Sequence, residues 1–109
     1  MKEDRPYLED IAEAIARIER YPAAGRSAFL EDKMAQDAVV RNFEVIGEAV
    51  KRLTPSTTDR QSGVRWSDVA GLRDVLIHQY MHVDLGRLWT IIERDPPKLK
   101  QATQQMLDA

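Results

Sequence analysis

Apolar residues recur at helical spacing along almost the whole chain. Near its beginning the apolar side chains fall three or four positions apart, at Leu8, Ile11, Ile15 and Ile18. This spacing places them on one face of a helix. The helix is predicted to run from about Arg5 or Pro6 to Arg20, because proline suits a first helical turn and the Tyr21-Pro22 pair ends a helix.

A second, longer stretch, residues 28–53, keeps the same period of 3.6 residues. The apolar positions that mark this period are Phe29, Leu30, Met34, Ala38, Phe43, Ile46, Ala49, Val50 and Leu53. Ser27 is the predicted N-cap, and a break near Glu31-Asp32 is left open. Thr54-Pro55 is expected to close this helix, and the polar residues 56–65 predict a loop that contributes nothing to the core.

A third helix is predicted to begin near Trp66, whose large apolar side chain would anchor its start. Ser67 is the predicted N-cap of this helix, and its end is expected close to Tyr80. Residues 81–83 are interpreted as a short connector to the next helix.

Asp84 is a suitable N-cap for a fourth helix over residues 85–94. Asp95-Pro96-Pro97 is expected to break that helix and to open a short last helix that ends at about Leu107. The chain is therefore predicted to be all-α, an up-and-down bundle of four main helices plus a short C-terminal helix. At this length it is predicted to be a single domain over residues 1–109.

The composition of the chain excludes several classes of protein. The chain has no cysteine, which excludes disulfides and thiolate metal sites. No run approaches the roughly 20 apolar residues of a transmembrane helix, and the first residues lack the apolar core of a signal peptide. A cytoplasmic location without membrane contact is expected. The net charge of −2 excludes a protein that coats nucleic acid through bulk positive charge, so RNA would have to be held locally.

One short stretch brings together side chains suited to phosphodiester chemistry, namely Arg73, Asp74, His78 and Tyr80. Arginine keeps its charge at cellular pH and suits a phosphate clamp, whereas histidine changes protonation near neutrality and suits proton transfer. On a helix, Asp74 and His78 stand four residues apart and can meet directly. Arg73 lies nearly in line with Tyr80 but roughly 140° around the helix from His78.

RNA cleavage involves two proton transfers, and this determines how many copies of the stretch are needed. Cleavage without a metal requires a base for the 2′-hydroxyl, an acid for the leaving oxygen and a cation on the phosphate. One copy of His78 supplies only one of the first two at a time. Two copies facing each other across a twofold axis would supply both.

Two other interpretations of these residues stay open. Arg73 and His78 can be an ion-pair donor and a partly buried polar residue on an ordinary amphipathic helix. Asp74, His78 and His82 stand at i, i+4 and i+8, so an uninterrupted helix would align three metal ligands. The connector at 81–83 is expected to break the helix before His82, which argues against a metal site.

The same residues carry a resemblance to a known family. Arg73, His78 and Tyr80 fit the Arg-x4-His-x-Tyr signature of the HEPN superfamily, and the chain resembles its HepT-like ribonuclease toxins. Other segments support the likeness in the same order along nearly the whole chain: Gln36-Asp37-Ala38-Val39-Val40-Arg41-Asn42, Ile46-Gly47-Glu48-Ala49, Trp66 and Leu88-Trp89-Thr90-Ile91-Ile92. Asp74 is a mild departure, since many relatives have asparagine there.

The resemblance implies a homodimeric, metal-independent RNA endonuclease without a bound cofactor, the toxin of a type VII-like toxin–antitoxin pair that cleaves tRNA or mRNA. In it Arg73 would hold the scissile phosphate, and His78, oriented by Asp74, would act as general base or acid. A cognate minimal nucleotidyltransferase antitoxin would AMPylate Tyr80 and so place negative charge beside Arg73. The alternative is a non-catalytic helical binding module that only docks the nucleotidyltransferase.

Overall fold

Every regular element in the described part of the chain is a helix. The structure, a computed structural model, describes residues 3–21, 25–61, 63–71 and 85–108. Its elements are α1 (Arg5–Arg20), α2 (Arg26–Glu31), α3 (Lys33–Lys51), α4 (Pro55–Thr58), α5 (66–71) and α6 (Leu85–Asp108). The predicted all-α fold class is confirmed.

Helix α1 packs against both α3 and α6 and supplies the centre of the core. Its predicted apolar stripe is fully buried, and its bounds, including the proline in its first turn, agree with the prediction. The other two helices bury matching stripes against it, with Val39, Phe43, Ile46 and Val50 from α3 and Leu88, Ile92, Leu99 and Met106 from α6. Helix α2 contacts α3 and α6 at one end of this core.

The long second helix is interrupted at Asp32, so the break left open from the sequence is confirmed. The Asp32 carboxylate accepts a hydrogen bond from the Ala35 amide at 3.1 Å and caps α3. The Gln36 side-chain amide donates to the carbonyl of Phe29 at 3.0 Å, which satisfies a group at the end of α2. The prediction of Ser27 as N-cap is wrong, because Gly25 occupies that position with a φ of 97°, a conformation that glycine adopts without strain.

Helix α6 continues through Asp95-Pro96-Pro97, so the predicted break and separate last helix are not found there. The two prolines cannot donate to the preceding turn, which costs about 3 kcal/mol or more in a helix interior. The reason the helix persists is the register of its buried face, because Pro96 is itself buried at helical spacing from Ile92 and Leu99. Burial of that continuous stripe against α1 outweighs the lost hydrogen bonds. In the described ranges no helix, α6 included, is long and apolar enough to cross a membrane.

Residues expected to form a purely polar loop contain a buried anchor. Residues 55–58 form α4, and Thr57 is only 1% exposed. The prediction that this segment contributes nothing to the core is therefore wrong. The Asp4 carboxylate, 2% exposed, accepts from the Thr57 hydroxyl at 2.6 Å and from the amide and hydroxyl of Thr54 at 2.9 and 2.8 Å. These bonds tie the start of α1 to the start of α4. The predicted N-cap at Ser67 is also wrong, because α5 is already helical at Trp66.

Burial alone would raise the pKa of Asp4, but the hydrogen bonds from Thr57 and Thr54 outweigh it and hold the pKa below its ordinary value. We expect Asp4→Ala to lower the free energy of unfolding by about 2–3 kcal/mol, because the acceptor of these charge-assisted bonds is lost. Urea unfolding at neutral pH measures this loss. The exposed Asp10 is the matched control, and Asp10→Ala is expected to change stability by less than about 0.5 kcal/mol.

The lowered pKa also fixes the pH dependence of this contribution. The Asp4 carboxylate stabilises the fold above its unfolded pKa of about 3.9, and the contribution is lost as the pH falls through the lower folded value. The difference in stability between wild type and Asp4→Asn is therefore expected to shrink as the pH is lowered through this window. A difference that stayed constant down to the acid limit would contradict the charged role of Asp4.

Candidate functional site

The residues that the sequence identifies as the candidate site lie outside the described residues. This holds for Arg73, Asp74, His78 and Tyr80, and for His82 of the metal-site alternative. Their proposed roles and proximity therefore remain predictions. The structure does describe the two elements that flank them in the chain, α5 up to Gly71 and α6 from Leu85.

A cleft of about 970 Å³ opens beside these two flanking elements. Val69 of α5 and Gly86 and Thr90 of α6 line it, and Phe43 and Ile46 of α3 form part of its floor. Val69 comes shortly before Arg73 in the sequence, and Gly86 follows Tyr80 after a few residues. Both helices that lead to and from the candidate motif thus take part in one concave site.

The rim of the cleft is rich in cations: Arg26, Arg65, Arg94 and Lys98. Two carboxylates lie among them, and each pairs with a neighbouring guanidinium. Arg65 Nε lies 3.1 Å from Asp68 Oδ2, and Arg94 Nε lies 3.2 Å from Asp95 Oδ1. Within the described part of the chain, Arg26 and Lys98 form no ion pair. The described lining therefore carries two more positive than negative charges.

Packing around the rim fixes where these cations stand. The rings of Phe29 and Trp89 lie 5.5 Å apart at a tilt of 44°, which holds α2, and with it Arg26, against α6. Trp66 at the start of α5 donates its indole N–H to the Gln61 carbonyl at 3.1 Å. Gln61 in turn donates to the side chain of Gln105 at 3.0 Å, so the approach to α5 is tied to α6.

A second groove, of about 330 Å³, lies between α1 and α3 and has a different character. Its described lining mixes both charges and includes Glu44, Glu48, Arg41 and Arg52. Glu44 pairs with Arg41 at 3.4 Å, and the Arg52 guanidinium lies 5.9 Å from the centre of the Tyr7 ring. With Asp10 the described lining carries three carboxylates against two guanidinium groups, so the cleft between α5 and α6 is the better candidate for an anionic ligand. Among the described residues no cluster of histidine, aspartate and glutamate could hold a metal ion.

Sequence reasoning identified the motif but missed the cationic rim. Its members come from three separate parts of the chain, and only the folded arrangement brings them together. One signal was present, because Arg94 and Lys98 stand four residues apart and share a helical face. The predicted helix break at Asp95-Pro96-Pro97 concealed this relation, since it assigned the two cations to different helices.

Comparisons with known proteins cover both the cleft and the motif. The sequence model of the family described as "Ribonuclease HepT-like" matches residues 11–106. A "Probable ribonuclease HepT" of Thermococcus cleftensis is 42% identical over 97 residues, 88% of each chain. A "Putative RNase" of Caldanaerobacter subterraneus subsp. tengcongensis is 39% identical over 108 residues, 98% of this chain and 96% of that protein.

A longer relative shares the same region. A "Gamma-glutamylcyclotransferase and putative RNase" of Methanocaldococcus jannaschii is 37% identical over 108 residues, which are 98% of this chain. This chain spans about half of that protein, 49% of its length. No solved structure matches the chain.

Proposed function

The chain belongs to the ribonuclease HepT-like family, and from this premise we propose that it is a metal-independent RNA endonuclease that acts as a homodimer. The observation that carries the proposal is the family match over residues 11–106, which contains the whole Arg73-x4-His78-x-Tyr80 motif. The cationic cleft lends support, because both described helices that flank the motif line it.

The proposed reaction divides proton transfer between two copies of the motif. One neutral His78 takes the proton of a 2′-hydroxyl, and the freed oxygen attacks the adjacent phosphorus. The bond from phosphorus to the 5′-oxygen of the next nucleotide breaks, and the protonated His78 of the other copy gives that oxygen its proton. Arg73 stabilises the charge that builds on the phosphate, and Asp74 orients the imidazole. The products are a 2′,3′-cyclic phosphate and a 5′-hydroxyl.

The proposal extends to control of the enzyme. As a toxin it would be paired with a cognate minimal nucleotidyltransferase antitoxin that transfers AMP to Tyr80. The adduct would carry a phosphate and an adenosine close to Arg73, where the substrate phosphate binds, so charge repulsion and bulk would both oppose RNA. Tyr80 is thus assigned the role of modification site.

The purified protein is expected to cleave total tRNA in the presence of EDTA. Because the attacking group is the 2′-hydroxyl, the fragments should end in a 2′,3′-cyclic phosphate and a 5′-hydroxyl. Polynucleotide kinase checks this directly, since it labels 5′-hydroxyl ends without prior phosphatase treatment. An RNA of the same sequence with 2′-O-methyl riboses is the matched control and should resist cleavage.

Three outcomes contradict this mechanism. Cleavage that EDTA stops, with 5′-phosphate ends, would favour the metal site of Asp74, His78 and His82. Cleavage of the 2′-O-methyl RNA would exclude attack by the 2′-hydroxyl. A folded protein that cleaves no RNA, with Tyr80 unmodified by mass spectrometry, would favour the non-catalytic module that docks a nucleotidyltransferase.

A further inference from the structure

The cleft between α5 and α6 has a charge opposite to that of the chain as a whole. The chain carries a net charge of −2, while the described lining of the cleft carries four cations and two carboxylates. A concave site lined mainly by one sign of charge concentrates ions of the other sign. The cleft is therefore suited to a polyanion, although the molecule as a whole does not attract one.

The four cations differ in how free they are to bind that polyanion. The pairs of Arg65 with Asp68 and of Arg94 with Asp95 are well exposed to solvent, with the two arginines 85% and 70% exposed. Exposed pairs of this kind contribute little and exchange readily with other anions. Arg26 and Lys98 are also exposed, and neither has an ionic partner in the part of the chain that the structure describes. These two side chains can therefore bind a phosphate without breaking an ion pair to a described residue.

The floor of the cleft favours a single strand over a duplex. Below the cationic rim lie the half-buried side chains of Val69 and Ile91, with Leu99 and Phe43 buried beneath. A single strand can turn its bases towards an apolar floor while its phosphates stay at the rim. In a duplex the bases are stacked on each other and unavailable. Phe43 is the aromatic residue of the described lining and is only 4% exposed, so stacking offers little discrimination between bases.

We propose that this cleft holds the phosphate backbone of single-stranded RNA, with Arg26 and Lys98 as its principal phosphate contacts. The proposal rests on the ribonuclease function proposed above and adds the residues that hold the substrate there. The contacts are to the backbone, so the cleft contributes affinity with little sequence preference. Arg65 and Arg94 add weaker contacts from within their ion pairs.

The salt dependence of RNA binding tests this assignment. The probe is a short fluorescein-labelled 2′-O-methyl RNA without base pairing, which keeps every phosphate but lacks the attacking hydroxyl. Fluorescence anisotropy gives its affinity for wild type and for the double variant Arg26→Gln/Lys98→Gln over a range of salt concentrations. Loss of two phosphate contacts should reduce the slope of log K against log salt by about 1.4, and the affinity near 0.1 M salt by roughly 25-fold.

The matched control is the double variant Arg17→Gln/Lys100→Gln, which changes the same residue types and the same net charge. Both residues are exposed and lie outside the cleft lining, and they pair with Glu13 at 2.6 Å and Glu19 at 3.1 Å. This control should match wild type in slope and affinity. If Arg26→Gln/Lys98→Gln also matches wild type, or if wild type does not bind the probe, the proposal is overturned.

Cleavage assays on the same proteins separate this proposal from the proposed function. A wild type that binds with the expected slope but never cleaves would refute the ribonuclease and leave RNA binding by the cleft supported. A wild type that cleaves while Arg26→Gln/Lys98→Gln binds and cleaves equally well would refute the cleft and leave the ribonuclease standing. That second result would also fit a cleft that takes an acidic protein segment.

Discussion

Replacement of His78 by alanine is expected to reduce metal-free RNA cleavage by at least about 10²- to 10⁴-fold, the range associated with loss of a single general acid or base. In a homodimer the substitution removes both copies of the imidazole, so the base and the acid disappear together. Alanine is the strongest helix former, so the variant should keep its helical fold. Initial cleavage rates with EDTA and a circular dichroism spectrum measure the two effects.

His82 provides the matched control, because it is the other of the two histidines in the chain. His82→Ala is expected to cleave at the wild-type rate, since the residue lies outside the motif. Full activity of His78→Ala would refute its assigned role. Equal loss in both histidine variants, reversed by an added divalent metal, would instead support Asp74, His78 and His82 as metal ligands.

The two-copy mechanism also predicts the activity of mixed dimers, which contain one wild-type and one variant subunit. If a dimer needs His78 from both protomers, a dimer with one wild-type and one His78→Ala subunit should be inactive. When the two proteins are unfolded, mixed and refolded together, activity is then expected to fall with the square of the wild-type fraction. A linear fall would show that each copy of His78 acts independently, and a fall slower than linear would show that one copy is sufficient for a dimer.

The sequence predicted well those parts of the fold that a local pattern determines. Leu8, Ile11 and Ile15 mark the buried face of α1 because helical period alone sets which residues share a face. The break at Asp32 was recognisable because an aspartate can cap a helix by itself. Both features depend on residues close to each other in the chain.

The errors arose where distant contacts overrule a local rule. Pro96 would end an isolated helix, yet its ring fills a position in the buried stripe of α6, and packing against α1 keeps the helix continuous. Thr57 stands in a polar segment, and only its bond to Asp4, 53 residues away, reveals that it is buried. No property of the segment 55–58 by itself indicates this partner.

The candidate site likewise has one part that a local pattern predicts and another part that only the fold brings together. The motif is a local pattern, so Arg73 and His78 could be identified from spacing and chemistry, and the family match supports the ribonuclease class. The cations of the cleft could not be assembled from the sequence, because Arg26 and Lys98 are separated by most of the chain. They meet only because α2 packs on α6.

Substitution of Tyr80 by phenylalanine is expected to leave RNA cleavage intact and to abolish silencing by the nucleotidyltransferase. In AMPylation the phenolic oxygen attacks the α-phosphate of ATP, loses its proton and displaces pyrophosphate. Phenylalanine keeps the ring but lacks that oxygen, so no adduct can form. The expected difference is all or none, because wild type incubated with the partner and ATP should lose cleavage while Tyr80→Phe keeps it.

Tyr21→Phe is the matched control, since Tyr21 is 39% exposed and lies outside the motif. This variant should still be silenced, and mass spectrometry should find the AMP adduct on the peptide that contains Tyr80. Silencing of Tyr80→Phe that depends on ATP would place the modification on another residue. Silencing of Tyr80→Phe without ATP would show that the partner blocks the cleft by occlusion. Binding of the partner would then be sufficient, and a charge placed beside Arg73 would not be needed for silencing.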